Sequence, residues 1–416
     1  MASVTIAGLA LVASPAAHAL DGPTSDQYDV RAGALFHVGA EAGVKSNDGA
    51  ASATFQAATT VIPAHGTLTL AADGSFDYAP AAGFVGDDIF RYCLIAVAGT
   101  PCATGNISVV LSVKSTVERI GGADRFAVSA AASAGAFPAH VPVAYVASGA
   151  VFPDALSAGA AAGAQGAPVL LIEKDSVPAV VGTELSRLQP GKIVMLGGLN
   201  TLSAQVQTAL SDYSGDVTRV GGADRYVVSA AVSRGVFAPM RPVVFIASGE
   251  VFPDALSGSA AVGIVGGPLL LVQKNSIPSD VAAEIARLTP LQIVVLGGKN
   301  TIADEVVTTL QRSANTIRID GSDRFEVSAS VSANTFAPAD THTVYVASGA
   351  GFPDALSGSA AAISKHAPVL LVTKDGIPAP VATELDRLKP TRIVVLGGEN
   401  TVSAATEALL ATHLAH

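Results

Sequence analysis

Cysteine is nearly absent from this chain, since only Cys93 and Cys102 occur among 416 residues. Two cysteines at this spacing, without a repeated histidine, argue against a zinc site. The residues between them include Gly99-Thr100-Pro101, a turn sequence, so the two thiols are placed to close a small loop as a disulfide. A buried pair of free thiols is the alternative.

Basic residues are outnumbered, with 24 Lys and Arg against 34 Asp and Glu and a formal net charge of −10. Nucleic acid is therefore not the expected partner, because proteins that neutralise phosphates carry a basic face. Long apolar runs are also missing, although 50% of the residues are hydrophobic. The stretch from Val143 to Ile172 is interrupted by Pro153, Asp154 and Pro168, which predicts buried strands and Ala-rich helices without a membrane span.

Catalytic signatures are absent as well. No G-x-S-x-G elbow, H-E-x-x-H or P-loop occurs, and His140, His342 and His366 fall at non-equivalent positions of the repeats described below. A carboxylate pair such as Asp124 with Asp154 leaves a hydrolase open as the alternative. The sequence otherwise predicts a protein that is not an enzyme, and it assigns no cofactor and no metal-ligating residues.

The N-terminus has the pattern of a secretory signal. Val4 to Val12 is apolar, and Ala17-His18-Ala19 is a small-x-small cleavage sequence, so we expect residues 1–19 to be removed and Leu20 to begin the mature chain. No Lys or Arg precedes the apolar core. An apolar strand, or a start placed too late, is the alternative.

Residues 20–115 predict an all-β domain. Thr67-Leu68-Thr69-Leu70 and Ser75-Phe76-Asp77-Tyr78 alternate polar and apolar side chains around an Asp73-Gly74 turn, the pattern of a β-hairpin. With the following Gly86-Asp87-Asp88-Ile89-Phe90-Arg91-Tyr92, this stretch resembles bacterial Ig-like and cadherin-like domains, which implies a β-sandwich. Calcium binding by Asp73, Asp77, Asp87 and Asp88 is one interpretation. We expect instead that Asp73 forms the turn and that Asp87 and Asp88 lie in a solvated loop, since hard cations need six or more oxygens.

The remainder of the chain repeats itself three times. Arg119-Ile120-Gly121-Gly122-Ala123-Asp124-Arg125-Phe126 returns in closely similar form from Arg219 and from Arg318, at offsets of 100 and 99 residues. Three further signatures recur in the same order, beginning at Phe152, Phe252 and Phe352, at Pro168, Pro268 and Pro368, and at Leu196, Leu296 and Leu396. A period near 100 residues is too long for a solenoid, so each copy should be a whole folding unit.

These blocks resemble the cell wall-binding repeat 2 family, and the resemblance covers residues 118–416. It implies a secreted bacterial surface protein that attaches non-covalently to an anionic cell-wall polymer or a peptidoglycan-linked glycan. It also implies that the three modules, 118–216, 217–315 and 316–416, pack around a pseudo-threefold axis.

Each repeat predicts alternating strands and helices. In the first copy, Asp124 caps a helix that extends to about Gly135, and strands are expected at Val143 to Ala147, Pro168 to Ile172 and Ile193 to Leu196. Helices are expected from Pro153 through Ala164, from Pro178 to Leu188 and from Asn200-Thr201 onward. Val217 to Val220 can add a further strand. The fold class is therefore α/β, with three small parallel-sheet modules after an N-terminal all-β sandwich.

Candidate ligand contacts lie where the strands of a parallel sheet end. They comprise a serine, an aspartate, an arginine and a lysine from each copy: Ser148, Asp154, Arg125 and Lys174, then Ser248, Asp254, Arg225 and Lys274, then Ser348, Asp354, Arg324 and Lys374. Each also has a structural alternative, since the aspartates suit helix starts and the arginines suit ion pairs or contacts between modules. Glu184 with Arg187, and its equivalents, has the spacing of a solvated helix-surface pair.

The copies differ at a few positions. Asp320 replaces Gly121 and Gly221, and Glu250 replaces an alanine. Because the net charge repels an anionic polymer, recognition must be local, through a few cations and backbone N–H groups, or through a bridging divalent cation. The favoured function is non-catalytic anchoring at the cell surface, with the target of the β domain unassigned. The alternatives are a structural surface-layer or adhesin role and, less favoured, an amidase-like wall hydrolase.

Overall fold

A computed structural model describes residues 24–49, 55–151 and 156–415 of the chain. The expected signal segment, residues 1–19, and Asp154 lie outside the described residues. The chain divides into two compact units, and the main boundary between them along the sequence lies between Val113 and Lys114. No helix in the described ranges is long and apolar enough to cross a membrane.

The N-terminal unit is all β, as predicted. Its strands are β1 (Asp26–Arg31), β2 (Phe36–Val38), β3 (Gln56–Val61), β4 (Gly66–Leu70), β5 (Phe76–Pro80), β6 (Gly86–Ile95) and β7 (Ile107–Lys114). They form one sheet in the order β1-β7-β6-β3 and a second in the order β2-β5-β4. The predicted hairpin is β4 with β5, in which Leu70 faces Phe76 and Asp73 accepts the N–H of Ser75 at 2.9 Å.

Several carboxylates of this unit are structural. The prediction that Asp88 lies in a solvated loop is wrong, because Asp88 is a buried residue of β6. Its oxygens accept the N–H groups of Ala64 and His65, each at 2.8 Å, and the hydroxyl of Tyr78 at 2.7 Å. Those donors replace the water that a surface carboxylate would bind.

Two further carboxylates are buried in the same unit. Asp26 and Asp48 are 8% and 5% exposed, and Asp48 accepts the hydroxyl of Tyr92 at 2.6 Å. Burial, followed by the nearby charge of Asp48, raises the pKa of Asp26 to about 8. Cys93 of β6 forms a disulfide with Cys102, with 5.7 Å between the Cα atoms.

The second unit contains the three repeats. The first has β9 (Val143–Ser148), β10 (Val169–Ile172) and β11 (Lys192–Leu196) with helices α1 (Arg125–Ala136), α2 (Ala158–Ala164), α3 (Ala179–Leu188) and α4 (Ala204–Leu210). The second has β13 (Val243–Ser248), β14 (Leu269–Val272) and β15 (Gln292–Leu296) with α5 (Arg225–Val236), α6 (Pro253–Val265), α7 (Ser279–Leu288) and α8 (Asp304–Leu310). The third has β17 (Thr343–Ser348), β18 (Val369–Val372) and β19 (Arg392–Leu396) with α9 (Arg324–Thr335), α10 (Pro353–Ser364), α11 (Ala379–Leu388) and α12 (Ala404–Leu410).

Each sheet is completed by a strand that leads into another repeat. These connecting strands are β8 (Thr116–Ile120), β12 (Val217–Val220) and β16 (Asn315–Ile319). The sheet orders are β10-β9-β11-β12, β14-β13-β15-β16 and β18-β17-β19-β8, and all pairings are parallel. Strand β8 precedes the first repeat but pairs with β19 of the third, so the three repeats close into a ring.

The Ala- and Gly-rich helices α2, α6 and α10 pack against one another at the centre of this ring. A Cβ on Gly159 would lie only 3.1 Å from the Cβ of Ser259 and 3.3 Å from that of Ser359, so equivalent positions of all three helices meet there. Small side chains permit this approach because they keep the backbones close. The structure thus confirms the predicted fold class of three parallel α/β modules around a pseudo-threefold axis after an all-β domain.

Candidate functional site

The strand ends of each sheet form one edge, which we call the carboxyl edge. In the first repeat the N–H of Gly149, just after β9, bonds to the carbonyl of Ile172 at 2.9 Å, and the other repeats keep this bond. The hydroxyl of Ser148 accepts the N–H of Ala150 at 3.1 Å. Ser148, Ser248 and Ser348 are buried. Their observed role is therefore to shape the turn, and ligand contact by them stays a prediction.

The predicted arginines bond within their own repeats, and Arg125 and Arg324 also lie near a residue of another repeat. Each follows a capping aspartate and donates to the carbonyl of the glycine after the first strand; Arg225 reaches Gly249 at 2.5 Å, and Arg125 and Arg324 bond to Gly149 and Gly349. The guanidinium of Arg324 also lies 6.0 Å from the ring centre of Phe252, which belongs to the preceding repeat. This geometry supports the alternative of a contact between modules.

Asp254 and Asp354, the two predicted aspartates that the structure describes, each lie close to an arginine of another repeat. Burial raises the pKa of Asp254 and of Asp354, while Arg324 and Thr301 oppose the shift at the first and Thr401 and Arg125 oppose it at the second. Gly297 has a φ of +97°, and a Cβ there would lie 2.2 Å from an oxygen of Asp254. The absence of a side chain at Gly297 therefore leaves room for the Asp254 carboxylate. The pairing of Thr301 with Asp254 and of Thr401 with Asp354 was not predicted, although a threonine recurs at this position in every copy.

The predicted lysines have a different environment. Lys174, Lys274 and Lys374 are exposed, and within the described part of the chain no hydrogen bond or ion pair engages their ammonium groups. Their backbones are fixed, because the carbonyls of Lys174, Lys274 and Lys374 accept N–H groups from the segment before α4, α8 and α12 at 2.9, 2.8 and 2.9 Å. Arg125 and Arg324 are exposed as well, but their guanidinium groups bond to glycine carbonyls, whereas no partner in the described ranges engages the lysine ammonium groups.

Two expectations about the repeats are wrong. Helix α4 begins at Ala204 after a Ser203 cap, because the N–H of Thr201 bonds back to Gly198 in a turn at 3.0 Å. Glu184 is buried and not solvated. It accepts the hydroxyl of Ser133 at 2.5 Å and two bonds from Arg187, and Glu284 and Glu384 are placed alike. The helix spacing was correct, but sequence spacing does not show which face a second helix covers.

Metal ligands do not converge in this structure. Within the described ranges, no group of three or more His, Cys, Asp or Glu side chains is placed to hold a metal ion. Asp124, the member of the proposed hydrolytic pair that the structure describes, uses its carboxylate to accept the N–H groups of Phe126 and Ala127, each at 2.9 Å.

Family comparison matches the model for cell wall binding domain 2 at residues 119–207, 219–307 and 318–407. The chain belongs to the cell wall binding domain 2 family. Residues 20–110 match a bacterial Ig domain. Both results confirm the family resemblance that the sequence motifs indicated.

Two curated relatives are longer than this chain. The amidase enhancer of Bacillus subtilis (strain 168) is 27% identical over 339 residues, covering 80% of this chain and 46% of the enhancer. N-acetylmuramoyl-L-alanine amidase LytC of the same organism is 25% identical over 306 residues, covering 73% of this chain and 60% of the amidase. The chain thus spans about half the length of these relatives.

Solved structures show the same fold. Cwp6 from Clostridium difficile superposes with a TM-score of 0.68 at 17% identity, covering 94% of this chain and 68% of Cwp6. Cwp8 from Clostridium difficile gives a TM-score of 0.66 at 19% identity, with the same coverages. At these identities the likeness concerns the fold alone.

Proposed function

We propose that this protein attaches non-covalently to an anionic cell-wall polymer, or to a peptidoglycan-linked glycan, through its three repeats. The observation that carries the proposal is that an exposed lysine recurs at the same carboxyl-edge position in all three repeats of this chain, each of which matches the cell wall binding domain 2 model. A ring that presents several weak contacts gains avidity when they engage together.

Electrostatics favour short-range recognition. The net charge of −10 opposes long-range attraction of an anion, and acidic residues such as Asp175 and Asp375 stand beside the lysines at the carboxyl edges. Binding must therefore come from charge-assisted hydrogen bonds made at contact. The expected result is an interaction that weakens as salt rises, since exposed ion pairs are screened.

We propose attachment without chemical turnover. The name of the amidase relative raises a hydrolase as the second possibility. In the second repeat, however, the cap residue Asp224 spends one carboxylate oxygen on two backbone N–H groups, and Asp254 is buried beside Arg324 and Thr301. That arrangement suits a contact between repeats better than an acid and base facing a substrate.

Export and surface display complete the proposal. The disulfide between Cys93 and Cys102 fits an oxidising compartment, and the apolar leader fits secretion. The Ig domain would then be displayed from the wall as a spacer or adhesive head. A structural surface-layer or adhesin role is compatible with the same attachment.

The test is sedimentation of the full chain with isolated cell walls, before and after mild-acid removal of secondary polymers. We expect retention by intact walls and loss after extraction. Replacing Lys174, Lys274 and Lys374 together with alanine should abolish retention, whereas one replacement should weaken it modestly. Equal retention by walls stripped of every anionic polymer would refute the ligand class.

A matched control removes three positive charges elsewhere. Arg312, Lys365 and Lys389 are exposed and follow the C-terminal ends of α8, α10 and α11, away from the carboxyl edges. Their triple replacement by alanine changes the net charge equally and should leave retention unchanged. Loss of retention in this control would show that overall charge, and not the lysine position, decides binding.

A further inference from the structure

Glu250 interrupts the repeat at the carboxyl edge of the second sheet. It stands where the other repeats have Ala150 and Ala350, two residues beyond the end of β13. Its Oε1 accepts a hydrogen bond from the backbone N–H of Lys274, with 3.4 Å between nitrogen and oxygen. The carboxylate therefore takes up the hydrogen-bonding capacity of the N–H group of Lys274, which lies two residues beyond the end of the neighbouring strand β14.

The same amide is open in the first and third repeats. Within the described residues, the backbone N–H groups of Lys174 and Lys374 have no acceptor. Each is nevertheless held in position, since the carbonyl of the same lysine bonds to Ser203 or Ser403. A fixed N–H group beside an unengaged ammonium group is a ready donor pair for an anion.

We propose that the backbone N–H and ammonium groups of Lys174 and of Lys374 bind an oxyanion of the wall ligand, a carboxylate or a phosphate, and that the Glu250 carboxylate fills the equivalent position of the second repeat from within the chain. This inference rests on the proposed function and deepens it. The second repeat shows with its own side chain what kind of group the position accepts. Two of the three carboxyl edges are then open to the ligand.

Neighbouring charges rank the three positions. Glu173 and Asp175 flank Lys174, and Asp375 flanks Lys374, whereas Lys274 stands between Gln273 and Asn275. Removing Glu250 should therefore expose the position with the least opposing charge. An Ala150→Glu or Ala350→Glu substitution should close the other two positions by copying the native arrangement of the second repeat.

The direct test is titration of the ¹⁵N-labelled full chain with inorganic phosphate and, separately, with acetate, followed by amide NMR. In the wild type, we expect the amide signals of Lys174 and Lys374 to move and that of Lys274 to stay. In Glu250→Ala the Lys274 amide should respond at the lowest anion concentration of the three. A response to phosphate alone or to acetate alone assigns the source of the oxyanion.

Wall sedimentation gives the functional arm. The Ala150→Glu/Ala350→Glu variant should lose about tenfold or more in apparent wall affinity, and Glu250→Ala should gain affinity. Asp340→Ala is the matched control, because Asp340 is an exposed acid that precedes β17 at the opposite edge. It removes the same charge as Glu250→Ala and should leave affinity unchanged.

The two levels of the argument fail separately. If the Lys174 and Lys374 amides ignore both anions while the wild type still sediments with walls, the oxyanion position is overturned and wall attachment stands. If these amides respond but the wild type does not sediment, the position stands and the proposed function is overturned. Full wall affinity in Ala150→Glu/Ala350→Glu also overturns the inference.

Discussion

Glu284 offers the most demanding test of how the ring is stabilised. Its carboxylate is 0% exposed and accepts the hydroxyl of Ser233 at 2.6 Å. Two bonds come from Arg287, at 2.8 and 2.6 Å, and the same guanidinium donates to the carbonyl of Phe237 at the end of α5. The hydrogen bonding of Arg287 to the Glu284 carboxylate raises the pKa of Arg287. The carboxylate therefore joins α5 to α7.

Replacing Glu284 with alanine removes the shared acceptor. Ser233 then keeps a buried donor and the partly exposed Arg287 loses its acceptor. Breaking a buried ion pair costs about 3 to 5 kcal/mol, and the partial exposure of Arg287 favours the lower value. For a unit of this size, about 2 °C or more is lost per kcal/mol, so the midpoint of thermal unfolding should fall by about 6 °C or more. Calorimetry of the full chain measures the shift.

A matched variant separates burial from charge. Glu305→Ala removes an exposed glutamate from α8 of the same repeat and should change stability by less than about 0.5 kcal/mol. The loss caused by Glu284→Ala should persist at high salt, because a buried pair is little screened. A cost below about 1 kcal/mol, or one that disappears with salt, would refute the reasoning.

Three further predictions concern the other unit, the ring and the N-terminus. The pKa of Asp26 is about 8 in the folded chain and 3.8 when unperturbed, so its contribution to the free energy of unfolding is complete below about pH 4. That contribution is lost as pH rises to 8, at up to about 1.4 kcal/mol per pH unit. Asp26→Asn should flatten this decline in denaturant titrations, and an unchanged profile would contradict the prediction. Deleting residues 317–416 should lower the unfolding temperature of the remaining repeats, because β8 loses β19; equal stability would count against one cooperative unit. Intact-mass measurement of secreted protein should give a chain that begins at Leu20 and whose cysteines resist alkylation until reduced, whereas an earlier start or free thiols would disprove one part each.

The local elements of the repeats were predictable because their determinants are local. Asp124 precedes a helix and does accept two of its N–H groups, and the apolar blocks at Val143 and Pro168 do contain β9 and β10. The exchange of β8 into the third sheet was not predictable, since pairing between residues more than 270 positions apart leaves no mark on sequence periodicity. Recurrence marked the lysines as candidates, and their contact with a ligand stays a prediction. The hydrogen bond between Glu250 and the Lys274 N–H group could not be predicted from the sequence.

The pairing of β8 with β19 also makes the number of repeats self-limiting. The strand that precedes each repeat pairs in the sheet of another repeat. A single repeat would therefore have one strand without a partner and one sheet edge without its fourth strand. In three repeats every sheet is complete, because β8, which precedes the first repeat, pairs with β19 of the third. A fourth repeat could join only by opening the ring, so such a protein would lengthen its chain at the ends and not between the repeats. The number of repeats in the ring thus follows from strand order.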